Sequence, residues 1–322
     1  MRTAFSPEQL ADPEMARSEA AIRRCVHCGF CTATCPTYVL LGDERDSPRG
    51  RIELIREMLE KGGTPPAATV THIDRCLSCL ACTTTCPSGV DYAQLIDHAR
   101  AHIEANYVRP WPERAFRGLL AAVLTRPRRL RAALALGRLA RPLEPLLPQM
   151  RLDSLAAMLR LVPARAPAPT RARAPASAER AARTAGRVIL LQGCVEAVVA
   201  PQVRAAAMRL LARAGYEVVL APGEGCCGAL SEHLGRADEA RTMARRNLAA
   251  WRAVGPVDAV VTTAAGCGTM LKAYGRVAGE AVAARDILEF VAEIGLPPVK
   301  RRPGLAVAYH AACSLQHGQK IT

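Results

Sequence analysis

One spacing occurs twice near the start of this chain and constrains what the chain can fold into. Cys25-Val-His-Cys28-Gly-Phe-Cys31-Thr-Ala-Thr-Cys35-Pro36 is followed by Cys76-Leu-Ser-Cys79-Leu-Ala-Cys82-Thr-Thr-Thr-Cys86-Pro87, so every cysteine of the first run recurs 51 positions later. With 322 residues the chain has room for two ordinary domains that bury their own cores, and it needs no covalent staples to fold. Its thirteen cysteines therefore serve another purpose. Their odd number, the length of the chain and the lack of a leading signal peptide argue against a secreted disulfide framework. They favour metal-bound thiolates in a reducing, cytoplasmic compartment.

The repeated C-x2-C-x2-C-x3-C-P run has the spacing of bacterial ferredoxins, where three close thiolates hold three irons of one [4Fe-4S] cubane and the fourth cysteine ligates the other cluster. This assigns Cys25, Cys28, Cys31 and Cys86 to one cluster, and Cys76, Cys79, Cys82 and Cys35 to the second. The crossing pins the two motifs together and brings the clusters close enough for rapid electron exchange. Pro36 and Pro87 redirect the chain after the last ligand and remove an N–H group. Backbone N–H groups in the tight loops can point at cluster sulfurs and raise the potential. Arg23, Arg24 and Arg75 flank the motifs and would favour the added negative charge of a reduced cluster. Zinc is the alternative, but four ligands per ion would leave the third cysteine of each triplet and the C-P cysteine without a purpose. His27, alone inside the first motif, reads as exposed or bonded to a sulfur rather than as a ligand.

The flanking sequence predicts an α + α/β fold, a helical two-cluster domain followed by a parallel-sheet domain. Over 1–108, Ser47-Pro48 is a helix start and Ile52, Leu54, Ile55, Met58 and Leu59 form an apolar stripe that Gly62-Gly63 ends. A second helix is expected from Tyr92 to Glu104. Residues 109–162 read as short amphipathic helices interrupted by Pro127, Pro142, Pro145 and Pro148, and 163–186 as a Pro/Ala/Arg linker. From 187 to 300 the pattern is strand Arg187–Leu191, helix Pro201–Ala214, strand Glu217–Leu220, one long helix Ala229–Trp251 and strand Asp258–Val261, the succession of a parallel sheet covered by helices. Cys194, Cys226, Cys227 and Cys267 fall in the loops after the strands, where such sheets bind ligands, and glycines beside them allow close backbone approach. They point to a metal, cluster or redox-thiol site. Buried, inert cysteine is the plainer alternative. Over 301–322 a further strand, Leu305–Tyr309, is expected before Cys313.

The net charge of +14 suits an anionic partner, but arginine and alanine are abundant throughout, a bias better assigned to genome composition. Aromatic residues, at 4%, are too few for the stacking platforms of single-strand binders, so no nucleic-acid partner is expected. Apolar runs such as Gly118–Leu124 stop short of the ~20 residues of a membrane span. The basic amphipathic segment over 109–162 can lie on a membrane surface, pack on a partner subunit, or cover the cysteine domain.

With these residues in place, the chain resembles the iron–sulfur subunits of bacterial glycolate oxidase, within the wider family of cysteine-rich "CCG" proteins. The matching stretches are Cys25 to Tyr38, Leu41-Gly-Asp-Glu44, Pro48-Arg-Gly-Arg51, Asp74-Arg-Cys-Leu77, Cys86-Pro-Ser-Gly-Val90, Gly225-Cys-Cys-Gly-Ala229, Ala265-Gly-Cys-Gly268 and Leu315-Gln-His317. The resemblance implies a helical ferredoxin domain like that of fumarate reductases and a CCG half that is usually duplicated. It also implies a separate FAD-containing subunit that oxidises glycolate to glyoxylate, with this chain carrying the electrons toward a membrane quinone. No flavin or nicotinamide fingerprint occurs in the chain, so no catalytic residue is assigned to it, and FAD is expected on the partner alone. The implied location is cytoplasmic, with peripheral contact at the inner face of the membrane. Lactate or glycerol-3-phosphate as substrate, or a heterodisulfide-reductase-like thiol chemistry, are the neighbouring readings. Two departures stand out. Cys267-Gly-Thr-Met270 replaces a C-x-x-C pair, and a thioether is a weak substitute for a thiolate. The second CCG unit opens at Tyr309-His-Ala-Ala-Cys313 and stops at Thr322, as in a truncated product or a piece of a longer protein.

Overall fold

The Ser47 hydroxyl accepts a hydrogen bond from the Gly50 amide at 3.0 Å and Pro48 follows in the first helical position, starting the Pro48–Lys61 helix. Gly62, with φ at +65°, ends it. The Tyr92–Asn106 helix is capped in the same way by Asp91, whose carboxylate accepts from the Gln94 amide. These helices, with Pro13–Arg24 and Ala67–Asp74, which the sequence reading omits, close a core of Ile22, Ile52, Ile55, Leu59, Ile73, Leu95, Ile96 and Ile103. Each such side chain contributes on the order of 1.5–3 kcal/mol on burial. Cys25 and Cys82 are part of this core, and Cys31, Cys76 and Cys86 pack against it. The motif cysteines are therefore anchored on a rigid helical frame.

The computed structural model describes residues 1–150, 152–165, 185–296 and 304–322. It separates into two compact units. One comprises Met1–Glu113, Ala229–Ala240 and Ala306–Thr322, and the other Arg114–Gly228 and Arg241–Leu305. In the second unit, β1 (Gly186–Leu190), β2 (Tyr216–Val219), β3 (Ala259–Thr262) and β4 (Ala284–Asp286) form a parallel sheet in the order β2-β1-β3-β4. Val188 pairs with Val218 on one side and Ala259 on the other, which fixes β1 at the centre. The direction of strand addition reverses at β1, and the crevice beyond its C-terminal end is where open α/β sheets bind ligands. Val188, Leu190, Met208, Leu211, Val261 and Phe290 fill the core on one face, with Phe290 edge-on to Tyr216 at 5.1 Å.

Over the amphipathic segment the helices run Trp111–Leu124, Pro127–Ala140 and Asp153–Arg160, with Arg141–Leu146 a 3-10 turn that carries Pro142 and Pro145. A Cβ at Gly137 would lie 2.9 Å from Val162 Cγ2, so that glycine lets the two segments approach closely. Among the described residues, no helix is long and apolar enough to cross a membrane.

Two sequence expectations need correction. The helix expected over Ala229–Trp251 is two helices, Ala229–His233 and Ala237–Val254, because Gly235 adopts φ +80° between them. Leu305–Tyr309 has strand-forming residues but pairs with no strand among the described residues. Leu305, Val307 and Tyr309 are exposed, and an apolar run without a ladder neighbour has nothing to hold it extended. Among the described residues the last strand is instead β4, whose Ala-Arg-Asp sequence carries no apolar alternation. Most of the expected 163–186 linker, residues 166–184, lies outside the described residues.

Candidate metal centres

The two cysteine loops have the same backbone. His27 and Gly29 in the first, and Ser78 and Leu80 in the second, all have φ between +51° and +85°. Three of these four are not glycine, and a left-handed conformation costs such residues about 1–2 kcal/mol each. The conformation directs successive N–H groups inward, the concave arrangement found at phosphate and iron–sulfur sites. The His27 amide bonds to Cys25 and the Ala81 amide to Cys79.

Each loop opens on a cavity. Cys25, Cys28, Cys31 and Cys86 line the first, and Cys35, Cys76, Cys79 and Cys82 the second, with Cys82, Pro48 and Tyr92 on the wall between them. The last cysteine of each motif thus lines the cavity of the other motif. Burial pushes the Cys25, Cys31 and Cys79 thiols up, and Cys82 further, helped by the nearby Cys76 and Cys79. Four thiols whose burial and mutual repulsion oppose ionisation suit a cationic group that takes the place of their protons. A single tetrahedral ion bound at ~2.3 Å would gather its sulfurs to about 3.8 Å from one another. Among the described residues no three cysteine sulfurs lie within 4.8 Å of one another, so the cavities are wider than one zinc ion requires.

The second cavity carries a feature that the sequence reading missed. Arg51, 1% exposed, directs Nη1 to Cys35 Sγ at 3.8 Å, Nε to the His72 carbonyl at 2.7 Å, and Nη2 to Thr37 Oγ1 at 3.0 Å and Asp46 Oδ1 at 3.2 Å. The Tyr92 hydroxyl lies 3.7 Å from Cys76 Sγ. Asp46, fully buried, also meets His72 Nδ1 at 3.0 Å and accepts from Arg75 Nη1 at 2.9 Å. Burial opposes its charge, but the bonds from His72 and Arg75 prevail and hold its carboxyl below the usual range. Asp43, Asp46 and His72 come close enough to suggest a metal site, but both Asp46 oxygens already serve these donors. Of the arginines that flank the motifs in sequence, Arg23 pairs with Glu19, Arg24 reaches the Gly89 carbonyl at 3.5 Å, and Arg75 serves Asp46. His27 is exposed.

In the sheet unit, Cys194 follows β1 and Cys226 and Cys227 follow β2 in loops as expected, but Cys267, expected in a loop after β3, lies in the first turn of the Ala265–Lys272 helix. They form two close pairs, Cys194 Sγ to Cys226 Sγ at 3.4 Å and Cys227 Sγ to Cys267 Sγ at 3.3 Å. The hydrogen bond that Cys194 donates to Cys226, and then burial, push the Cys194 thiol up; the same bond lowers Cys226, but its bond with Cys227 and burial prevail and push it up to about 12. Asn247 fixes the middle loop by accepting from the Gly225 amide at 2.8 Å and donating to the Cys226 carbonyl at 3.0 Å. The Tyr274 hydroxyl donates to the Cys227 carbonyl at 2.9 Å and its ring stacks on Trp251. Met270 is buried one turn beyond Cys267. Cys313, in the helical unit, is exposed.

Two family models match the chain: a 4Fe-4S dicluster domain over residues 21–90 and a cysteine-rich domain, CCG, over 188–272. The glycolate oxidase iron–sulfur subunit of Escherichia coli is 39% identical over 334 residues, covering 100% of this chain and 78% of that protein. The chain belongs to the glycolate oxidase iron–sulfur subunit family. A probable glycolate oxidase iron–sulfur subunit of Bacillus subtilis is 34% identical over 269 residues, 80% of this chain and 60% of that protein. A component of the fumarate reductase (CoM/CoB) of Methanothermobacter marburgensis is 34% identical over 137 residues, 42% of this chain and 27% of that protein. No solved structure matches. As a member of this family the chain is an iron–sulfur electron-transfer protein, with a helical ferredoxin-like region followed by a parallel-sheet CCG region.

Proposed function

We propose that this chain is the electron-transfer subunit of a glycolate dehydrogenase complex, receiving electrons from an FAD-containing subunit that oxidises glycolate to glyoxylate and passing them toward a membrane quinone. The pair of cysteine-lined cavities, each holding the first three thiols of one motif and the last thiol of the other, with Cys82 on the wall between, supports this reading most strongly. Cys25, Cys28, Cys31 and Cys86 would hold one [4Fe-4S] cluster, and Cys76, Cys79, Cys82 and Cys35 the other. Bound there, the clusters would supply one-electron storage and transfer. The chain's own residues anchor the thiols on the helical core, turn backbone amides toward them and limit water around Cys35 and Cys82. Cys194, Cys226, Cys227 and Cys267 would hold a further metal or cluster, with Asn247 and Tyr274 fixing the loop between β2 and the following helix.

The flavin subunit would dock where apolar side chains stand exposed beside the motifs. Val26 and Phe30 (67% and 62% exposed) rim the first loop, and Leu77 the second. Peripheral contact with the inner face of the cytoplasmic membrane would use the Pro127–Ala140 helix, where Leu136 and Leu139 are exposed alongside Arg128, Arg129 and Arg131. The test is co-purification with the flavin subunit under anaerobic conditions, followed by glycolate, lactate or glycerol 3-phosphate. Glycolate is expected to reduce both clusters and the isolated chain to show no turnover. Reduction by lactate or glycerol 3-phosphate alone would reassign the substrate, and turnover by the pure chain would overturn the carrier role.

A further inference from the structure

We infer that Arg51 makes the two cluster sites unequal, so that the site of Cys35, Cys76, Cys79 and Cys82 is reduced before the site of Cys25, Cys28, Cys31 and Cys86. The inference rests on the cluster assignment proposed above. Reduction of either site adds one electron and one negative charge, with no bond made or broken. A fixed positive charge next to one site therefore favours the electron there, and the effect is largest where water cannot screen it.

Arg51 meets both conditions. It is 1% exposed and its Nη1 lies 3.8 Å from Cys35 Sγ. Its Nε and Nη2 are held by the His72 carbonyl, Thr37 and Asp46, so the guanidinium cannot turn away from the sulfur. Asp46 offsets part of the charge, but that carboxylate also serves Arg75, and the neighbouring Asp43 is paired with Arg45, so three arginines on two aspartates leave a net positive group. One hydroxyl acts the same way: the Tyr92 hydroxyl lies 3.7 Å from Cys76 Sγ, and hydrogen bonds to cluster sulfurs raise the potential.

The first site has a weaker counterpart. Arg49 lines it, but its side chain is 34% exposed and ion-paired with the still more exposed Glu44, and its Nη1 points at the His27 carbonyl, 3.5 Å away. Water screens a charge so placed, and the pair is close to neutral. Solvation of the exposed Cys28 also helps the first site accept charge, but it is a dipolar response, set against a whole buried cation at the second. In the complex, one electron delivered by a reduced flavin would therefore pass from the first site to the second, oxidising the one and reducing the other.

The test is a potentiometric titration of the iron-loaded chain with dithionite, followed by EPR, on the wild type and Arg51→Gln. The wild type is expected to give two separated reduction steps. Arg51→Gln should lower the higher step at least tenfold in its reduction equilibrium, about 59 mV for one electron, and leave the lower step in place until the two nearly merge. The double variant Asp46→Asn/Arg51→Gln, which leaves no lone buried charge, covers the case where the single variant does not load, and should move the same step in the same direction. An unchanged higher step in a variant that retains both clusters, or a shift confined to the lower step, overturns the inference. A wild type without two cubane signals fails the cluster assignment itself, and this inference with it.

Discussion

Replacing Asp46 with alanine perturbs the frame of the second site without touching a cysteine. Asp46 is fully buried and its carboxylate balances Arg51, itself 1% exposed, while Arg75 keeps about half its side chain in solvent. Removing one partner of a buried ion pair typically costs about 3–5 kcal/mol, because the charge left behind is uncompensated, and the half-exposed contact adds at most about 1 kcal/mol. Against a typical stability of ~5–15 kcal/mol this is a large fraction. With a urea slope near 2 kcal/mol per molar, the midpoint should fall by about 2 M. Adding Arg51→Met removes the orphaned charge and should restore about half of the loss or more. The assay is urea unfolding of the iron-loaded chain by circular dichroism, without oxygen, with iron release followed in parallel because bound metal is coupled to folding. A single variant that loses less than about 1 kcal/mol, or a double variant no better than the single, would refute the reasoning. The pH dependence has a definite sign. Because the folded carboxyl lies below its ordinary value, its contribution is complete above about pH 4 and is lost as pH falls through the folded value.

Cys86→Ser should remove the cluster of the first motif and Cys35→Ser that of the second, each taking total iron in the ferredoxin region from about eight to about four per chain. Loss confined to the variant's own motif, read by EPR, would contradict the crossing. Gly50→Ala should destabilise the helical unit by about 1–3 kcal/mol, seen as a lower thermal midpoint, because its Cβ would lie 2.0 Å from the Glu44 carbonyl oxygen. Leu136→Gln with Leu139→Gln should weaken sedimentation with anionic vesicles several-fold without changing the melting temperature; unchanged sedimentation would exclude this helix as the membrane contact.

The cysteine motifs were readable because metal ligation imposes spacings over a few residues, and the Pro48–Lys61 helix because its cap, apolar stripe and glycine stop are all local. The sheet was readable in β1 to β3, where apolar runs alternate with helices, but β4 has only one small apolar residue and owes its extension to pairing with β3. Arg51 was hidden for a related reason. It sits beside the apolar stripe, where a charged residue normally faces water, and its burial depends on Asp46 and on His72, two residues from other elements. The division of the Ala229–Trp251 segment turned on a single glycine whose left-handed conformation cannot be told from a tolerated helical one in sequence. The pairing of Cys194 with Cys226 and of Cys227 with Cys267 depends on strand order, which brings together residues 32 and 40 positions apart in the chain.

In the function proposed above, this chain holds two [4Fe-4S] clusters that glycolate reduces through a flavin partner. Low-temperature EPR of the anaerobically purified complex, before and after glycolate, tests it most directly. Glycolate should produce the signals of two reduced cubane clusters, with about eight irons per chain in the ferredoxin region. A complex whose flavin is bleached by glycolate while the clusters stay oxidised, though dithionite reduces them, would contradict it.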